Sequence, residues 1–177
     1  RIVGKILARE GILPRGHIIE VTRKDLVGEY VGQTEKKTYE VIKRAMGGVL
    51  FIDEAYSLAP KNADGKDYGY QAINIILKEM EDNRDKFIVI VAGYKNEMED
   101  FLNSNPGLRS RFPIVIDFPD YTAEELEQIY LRMCKSKGYV LTDEARNVLR
   151  AKLNILGRTK SFSNARGVRN LYEETIR

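Results

Sequence analysis

The sequence predicts an α/β protein in which a parallel sheet is followed by a small all-helical subdomain. Three observations carry that prediction. Gly48-Val49-Leu50-Phe51-Ile52 runs without one polar side chain into Asp53-Glu54. A strand with no polar face must be covered on both sides, as in the middle of a helix-covered parallel sheet. Further strand-like runs, His17 to Val21, the wholly apolar Phe87 to Val91, and Pro113 to Phe118, are separated from it and from each other by helical patterns or polar loops. Strands that alternate with helices build a parallel sheet. After Pro119-Asp120 only helical spacing remains, which divides the chain into an α/β part, residues 1–120, and a helical part, residues 121–177.

Taken in order, residues 2–10 read as a helix ended by Gly11 and Pro14, and His17 to Val21 as the first strand. Thr34 is placed to cap a helix carrying Tyr39, Ile42, Ala45 and Met46 on one face, stopped by Gly47-Gly48. The apolar strand at 48–52 follows. A polar loop, 61–67, leads to a helix with Ala72, Ile73, Ile76, Leu77 and Met80 in register. Phe87 to Val91 is the third strand and Pro113 to Phe118 the fourth. Thr122 and Glu125 form a capping box ahead of Leu126, Ile129, Tyr130 and Met133. Two more helices carry Val148, Leu149 and Leu153, then Val168, Leu171 and Ile176.

Composition narrows the functional classes. The 177 residues are 43% hydrophobic and 31% charged, which suits a water-soluble globular domain. Twenty-nine basic residues against 26 acidic ones leave +3, too even a balance to argue for nucleic acid. Cys134 is the only cysteine, so no intrachain disulfide forms and a reducing interior is expected. It falls among Tyr130, Leu131 and Met133, where a buried inert thiol is expected. His17 is equally alone, with no partner for a metal site or a catalytic dyad. No apolar run reaches the length of a membrane span.

The chemistry concentrates at Asp53 and Glu54. At the C-terminal end of a parallel strand, where open α/β sheets bind their ligands, the first carboxylate can hold a hydrated Mg²⁺. The second can polarise a water that attacks a phosphoryl group. This is the logic of a Walker B strand. Its usual companion is missing: nowhere does Gly-x-x-x-x-Gly-Lys-Ser/Thr occur, so nothing cradles the β- and γ-phosphates. Gly4-Lys5 does not substitute, because no strand and glycine loop precede it. The chain therefore reads as a piece of a larger protein rather than a defective ATPase.

Sheet, acidic strand end and trailing helices together point to a ring-forming ATPase. In that superfamily an arginine just before the last strand reaches the neighbouring subunit's γ-phosphate and stabilises its developing charge. Here Arg111 is the first choice and Arg109 the second. Arg166, with Arg169 one turn later, suits a lid-borne arginine that reads the nucleotide. Gly28-Glu29-Tyr30-Val31-Gly32 is a glycine-flanked loop that displays an aromatic, the kind that lines a translocating pore. The loop at 61–70, with Tyr68 and Tyr70, is a second candidate.

Leu26 to Thr34, Gly48 to Leu58, Ala92-Gly93-Tyr94, Ser104 to Leu108, Ile116 to Tyr121 and Asn164 to Asn170 carry a more specific resemblance. They resemble the AAA+ ATPases of the group that includes stage V sporulation protein K and red-type rubisco activase, with the wording at Arg109-Ser110-Arg111-Phe112-Pro113 nearest the sporulation branch. The resemblance covers nearly the whole chain. It implies a cytoplasmic machine, usually a hexamer, that binds ATP and Mg²⁺ and pulls client polypeptides through its pore. Under it Asp53 holds Mg²⁺ through water, Glu54 activates the hydrolytic water, Arg111 acts across the subunit boundary, Arg166 senses nucleotide, and Tyr30 with Val31 grips the client. The polar residue that usually positions the attacking water corresponds to Tyr94. It also implies that a phosphate loop and its strand precede the residues matching Arg1 to Leu7. That strand belongs between those matching 87–91 and 113–118, so the core is expected to be open without it. A non-hydrolysing interaction module and a nucleic-acid motor are the alternatives. Intact Asp53, Glu54 and Arg111 argue against the first, and the near-neutral charge with Tyr30 against the second.

Overall fold

A computed structural model describes residues 2–60, 67–157, 159 and 162–176. The chain divides into two compact units, Arg1–Val115 and Ile116–Arg177.

The first unit begins with α1 (Ile2–Arg9), ended at Gly11, whose φ is +73°. Then come β1 (Ile18–Val21), α2 (Arg23–Leu26), α3 (Gln33–Ala45) and β2 (Val49–Ile52). A 3₁₀ turn (Ala55–Leu58), α4 (Gly69–Asp82), β3 (Ile88–Val91), α5 (Lys95–Asn103) and α6 (Pro106–Arg111) complete it. The strands form one parallel sheet in the order β1-β2-β3, with Ile18 opposite Val49 and Val49 opposite Ile88. As its uninterrupted apolar run requires, β2 is central, with Val49, Leu50 and Ile52 buried. Leu26, Ile42, Leu58, Ile73 and Leu108 close the core around it. Ala72, Ile73, Ile76 and Leu77 form the buried stripe of α4.

Three expectations are corrected. Thr34 does not cap α3: Gly32 holds the cap position, and Thr34 lies buried inside the helix with its hydroxyl accepting the Gly28 N–H at 2.9 Å. The buried face of α3 is accordingly Thr34, Thr38, Val41, Ile42 and Ala45, leaving Tyr39 at the surface. The third difference is the largest. Pro113 to Phe118 forms no strand. Ile114, Val115, Ile116 and Phe118 are 81%, 79%, 71% and 87% exposed. A strand exists only with a ladder partner, and among the described residues β3 pairs on one side alone. All four β3 residues are half-buried, as fits an edge.

The second unit consists of α7 (Ala123–Ser136), α8 (Asp143–Leu156) and α9 (Asn164–Ile176). The capping box forms as the sequence predicts: Thr122 Oγ1 accepts the Glu125 N–H at 3.2 Å and Glu125 Oε2 accepts the Thr122 N–H at 2.8 Å. Leu126, Tyr130, Leu149, Leu153, Val168 and Leu171 make the core, and Tyr172 packs edge-on against Tyr130 at 5.7 Å. Val148 and Ile176, on the same helices, are exposed.

Candidate active site

The site grows from the C-terminal edge of the sheet. The Asp53 N–H continues the ladder to Val21 C=O at 2.9 Å, and the Ala55 N–H bonds Ala92 C=O at 3.0 Å. Between them the chain turns sharply. Glu54 adopts φ +49°, ψ +45°, a left-handed conformation unusual for a residue with a long side chain. The Asp53 carboxylate supports this turn by accepting the Glu54 N–H at 3.0 Å. Both carboxylates are exposed, so the strand ends in two acidic side chains open to a ligand. Backbone strain of this kind collects where function fixes a side chain's direction.

Tyr94 stands at the same edge, as the first residue beyond β3 and Gly93, and caps α5 while remaining exposed. Its ring centroid lies 6.3 Å from that of Tyr56. Gly93 makes room for this pair: a Cβ there would lie 2.7 Å from Tyr56 Cδ1 and 2.8 Å from Met98 Sδ. Burial, and after it the charge of Glu54 with contributions from Tyr94, Glu97 and Asp53, pushes the Tyr56 hydroxyl above its ordinary pKa. Sequence reading passed over Tyr56. Its place three residues after Asp53, facing the only glycine of Ala92-Gly93-Tyr94, is the available clue.

Asp53, Glu54 and Tyr94 are thus brought together, whereas Arg111 and Arg109 belong elsewhere on the same unit. α4 runs back against the strand direction, and the Gly47 N–H bonds Lys86 C=O at 2.7 Å, so α4 ends at the N-terminal edge of the sheet. There Arg111 pairs with Glu81 at 3.6 Å. Arg109 bonds Asn103 Oδ1 at 2.9 Å and Glu99 at 3.2 Å. Asn105 caps their helix by accepting the Gly107 N–H at 2.8 Å. In the second unit Arg166 and Arg169 lie exposed on the first turns of α9. Asn164, at φ +53°, anchors that helix start by accepting the Tyr121 N–H at 3.0 Å and donating to Asp120.

Tyr30 and Val31 are exposed at the tip of the loop joining α2 to α3. Its base is fixed. A Cβ on Gly28 would lie 2.4 Å from Gln33 Cβ, and Gly32 has φ +82°. The Lys37 ammonium donates to Lys24 C=O and Val27 C=O at 3.0 and 3.1 Å. Residues 61–66 of the second candidate loop lie outside the described residues; Tyr68 precedes α4 and Tyr70 sits in its first turn. The lone His17 bonds Arg44 C=O through Nε2 at 2.9 Å, and Cys134 is buried.

Among the described residues no three His, Cys, Asp or Glu side chains gather as a metal cage. One exposed carboxylate at a strand end fits Mg²⁺, which keeps several waters and takes further oxygens from phosphates. Asp53 would hold it, and the ion would supply charge neutralisation on phosphate oxygens.

Residues 2–120 match the family described as "ATPase family associated with various cellular activities (AAA)", and residues 122–177 match the AAA lid domain. The chain belongs to the AAA ATPase family. It is 49% identical over 180 residues to stage V sporulation protein K of Bacillus subtilis (strain 168), covering 100% of the chain and 55% of that protein. Protein CbbX of Cereibacter sphaeroides is 52% identical over 166 residues, 93% of the chain and 53% of the relative. A CfxQ homolog of Galdieria sulphuraria is 52% identical over 165 residues, 93% and 54% respectively. The chain spans about half the length of these curated relatives. Among the described residues no helix is long and apolar enough to cross a membrane.

Proposed function

We propose that this chain forms the hydrolytic part of a ring-shaped, ATP-driven machine that remodels client polypeptides. Asp53 holds Mg²⁺ through water. Glu54, fixed by its left-handed turn, accepts a proton from the attacking water, and Tyr94 orients that water from the end of β3. Arg111, with Arg109 behind it, completes the site of the next subunit. Arg166 reads the nucleotide from the lid, and Tyr30 and Val31 grip the client. The sporulation process named for one relative is the proposed setting, and the cell interior the proposed compartment.

The observation that carries this reading is the separation of Glu54 and Arg111 to opposite edges of one sheet. An arginine at that edge reaches a phosphate only if the phosphate belongs to a neighbouring unit, which is the arrangement the proposal requires.

Mixing full-length variants tests it. Arg111→Ala should bind ATP yet lose on the order of 10³-fold in hydrolysis, and Glu54→Gln should be similarly inactive. Rings containing both regain activity where an intact Glu54 meets an intact Arg111 from another chain. Zero recovery, with subunit exchange verified independently, would overturn the trans-acting site.

A further inference from the structure

Arg23 opens α2, five residues before the Tyr30 loop begins, and its side chain bonds two segments distant in sequence. One guanidinium nitrogen donates to Ser57 C=O at 2.6 Å and another to Asp67 Oδ1 at 2.9 Å. The pair is largely shielded, with side chains 31% and 16% exposed. The same Asp67 oxygen accepts the Gly69 N–H at 2.7 Å and so starts α4. Ser57 in turn donates its N–H to Glu54 C=O at 2.9 Å. A continuous chain of hydrogen bonds therefore runs from the Glu54 peptide through Ser57, Arg23 and Asp67 to the first residue of α4.

The node is closely packed. A Cβ on Gly69 would lie 2.1 Å from Leu58 C=O and 2.7 Å from the Arg23 guanidinium. Arg23 is also joined to the other loop. Its carbonyl accepts the Val27 N–H at 2.8 Å, and the adjacent Gly28 N–H is held by Thr34. The base of the second candidate loop, at Asp67–Tyr70, thus meets the turn after Glu54 at the Arg23 side chain, and the base of the first, at Val27–Gly28, is tied to the same residue through its backbone carbonyl. The planar guanidinium reaches the Ser57 carbonyl and the Asp67 carboxylate through two different nitrogens held in one fixed fork; a lysine ammonium can bridge two acceptors, as Lys37 does, but without that fixed geometry.

We propose that Arg23 is a positioning residue that couples the state of the Asp53–Glu54 turn to both loops, so that a shift at the nucleotide moves the two client-facing segments together. This rests on the ATPase reading. A displacement of Glu54's peptide moves Ser57, and the guanidinium transmits it to Asp67 on one side and to the first turn of α2 on the other.

Hydrogen exchange of the full-length protein, with and without Mg·ATP, tests it. In the wild type, Mg·ATP should alter exchange both in 26–32 and in 67–72. In Arg23→Gln the difference should shrink about threefold or more in both segments together, the size that coupling residues produce, while binding of a fluorescent ATP analogue stays intact. Arg23→Lys should be intermediate, and it keeps the test usable should Arg23→Gln fold poorly. A purely structural role predicts another pattern: faster exchange at both segments without nucleotide, but an undiminished response to it. That pattern, loss in one segment only, or a wild type that binds Mg·ATP without responding, would overturn the coupling. Failure of the wild type to bind Mg·ATP would instead overturn the ATPase reading beneath it.

Discussion

Glu127 in the second unit and the Asp53–Glu54 pair in the first are carboxylates that the fold treats in opposite ways. Glu127 is 4% exposed and receives a hydrogen bond on each oxygen, from Arg146 Nε at 2.5 Å and Arg150 Nε at 2.7 Å. It is a satisfied, internal charge that ties α7 to α8. Asp53 and Glu54 are exposed, with only a backbone N–H on Asp53 as a described partner. A buried charge must be paired to be tolerated; a charge meant for a ligand must be left open. The contrast therefore separates a carboxylate that maintains the fold from two left open, as the proposed role of Asp53 and Glu54 in hydrolysis requires.

The largest expected effect is on chemistry. Glu54→Gln in the full-length protein should keep ATP binding and lose about 10²- to 10⁴-fold in turnover, because an amide cannot accept the water's proton. Steady-state phosphate release at the wild-type rate would remove Glu54 from that role. Its melting temperature should barely move, since an exposed change costs within about 0.5 kcal/mol.

Glu127→Ala should behave in the reverse sense. Two half-exposed arginines lose their acceptor, at about 1–2 kcal/mol once solvent screening is allowed for. Thermal denaturation should show the loss, and an unchanged midpoint would mean the clamp does not hold these helices. A smaller effect follows with pH. The hydrogen bond from Arg150, and after it that from Arg146, outweigh desolvation and hold the Glu127 carboxyl below its ordinary 4.5. A lowered folded-state pKa gives stability that is present above the ordinary value and lost as pH falls through the lowered one. The wild-type second unit should thus weaken in acid below about pH 4.5, whereas Glu127→Gln should lose that slope; equal slopes would refute the linkage. The smallest effect is at Cys134, whose thiol burial pushes up. It should react slowly with iodoacetamide in the native protein and faster in Glu127→Ala, as mass spectrometry of timed samples would record.

What the sequence disclosed follows the range of the forces involved. β2 and its acidic end were legible because an all-apolar run meeting two carboxylates is a local pattern, and the Thr122–Glu125 box because its bonds span three residues. Pro113 to Phe118 was misread because composition gives strand propensity but not a ladder partner. Tyr39 was placed inside because an aromatic at helical spacing looks internal until the neighbouring element is known. Arg23 with Asp67 and Glu127 with its arginines were invisible for a plainer reason: the partners are 44, 19 and 23 residues apart, and charged residues in such numbers offer no hint of which pair.

The single-sided pairing of β3 has a colloidal consequence. Among the described residues Ile88-Val89-Ile90-Val91 presents an unshared row of peptide groups beside no charge of its own, and Ile114-Val115-Ile116 is an uncharged, solvent-exposed run. Unprotected edges of this composition template pairing between molecules. A solution of these 177 residues alone should therefore be limited in concentration by strand-to-strand association, and its solubility should respond more to a lysine placed at Val115 than to any change in the net charge of +3.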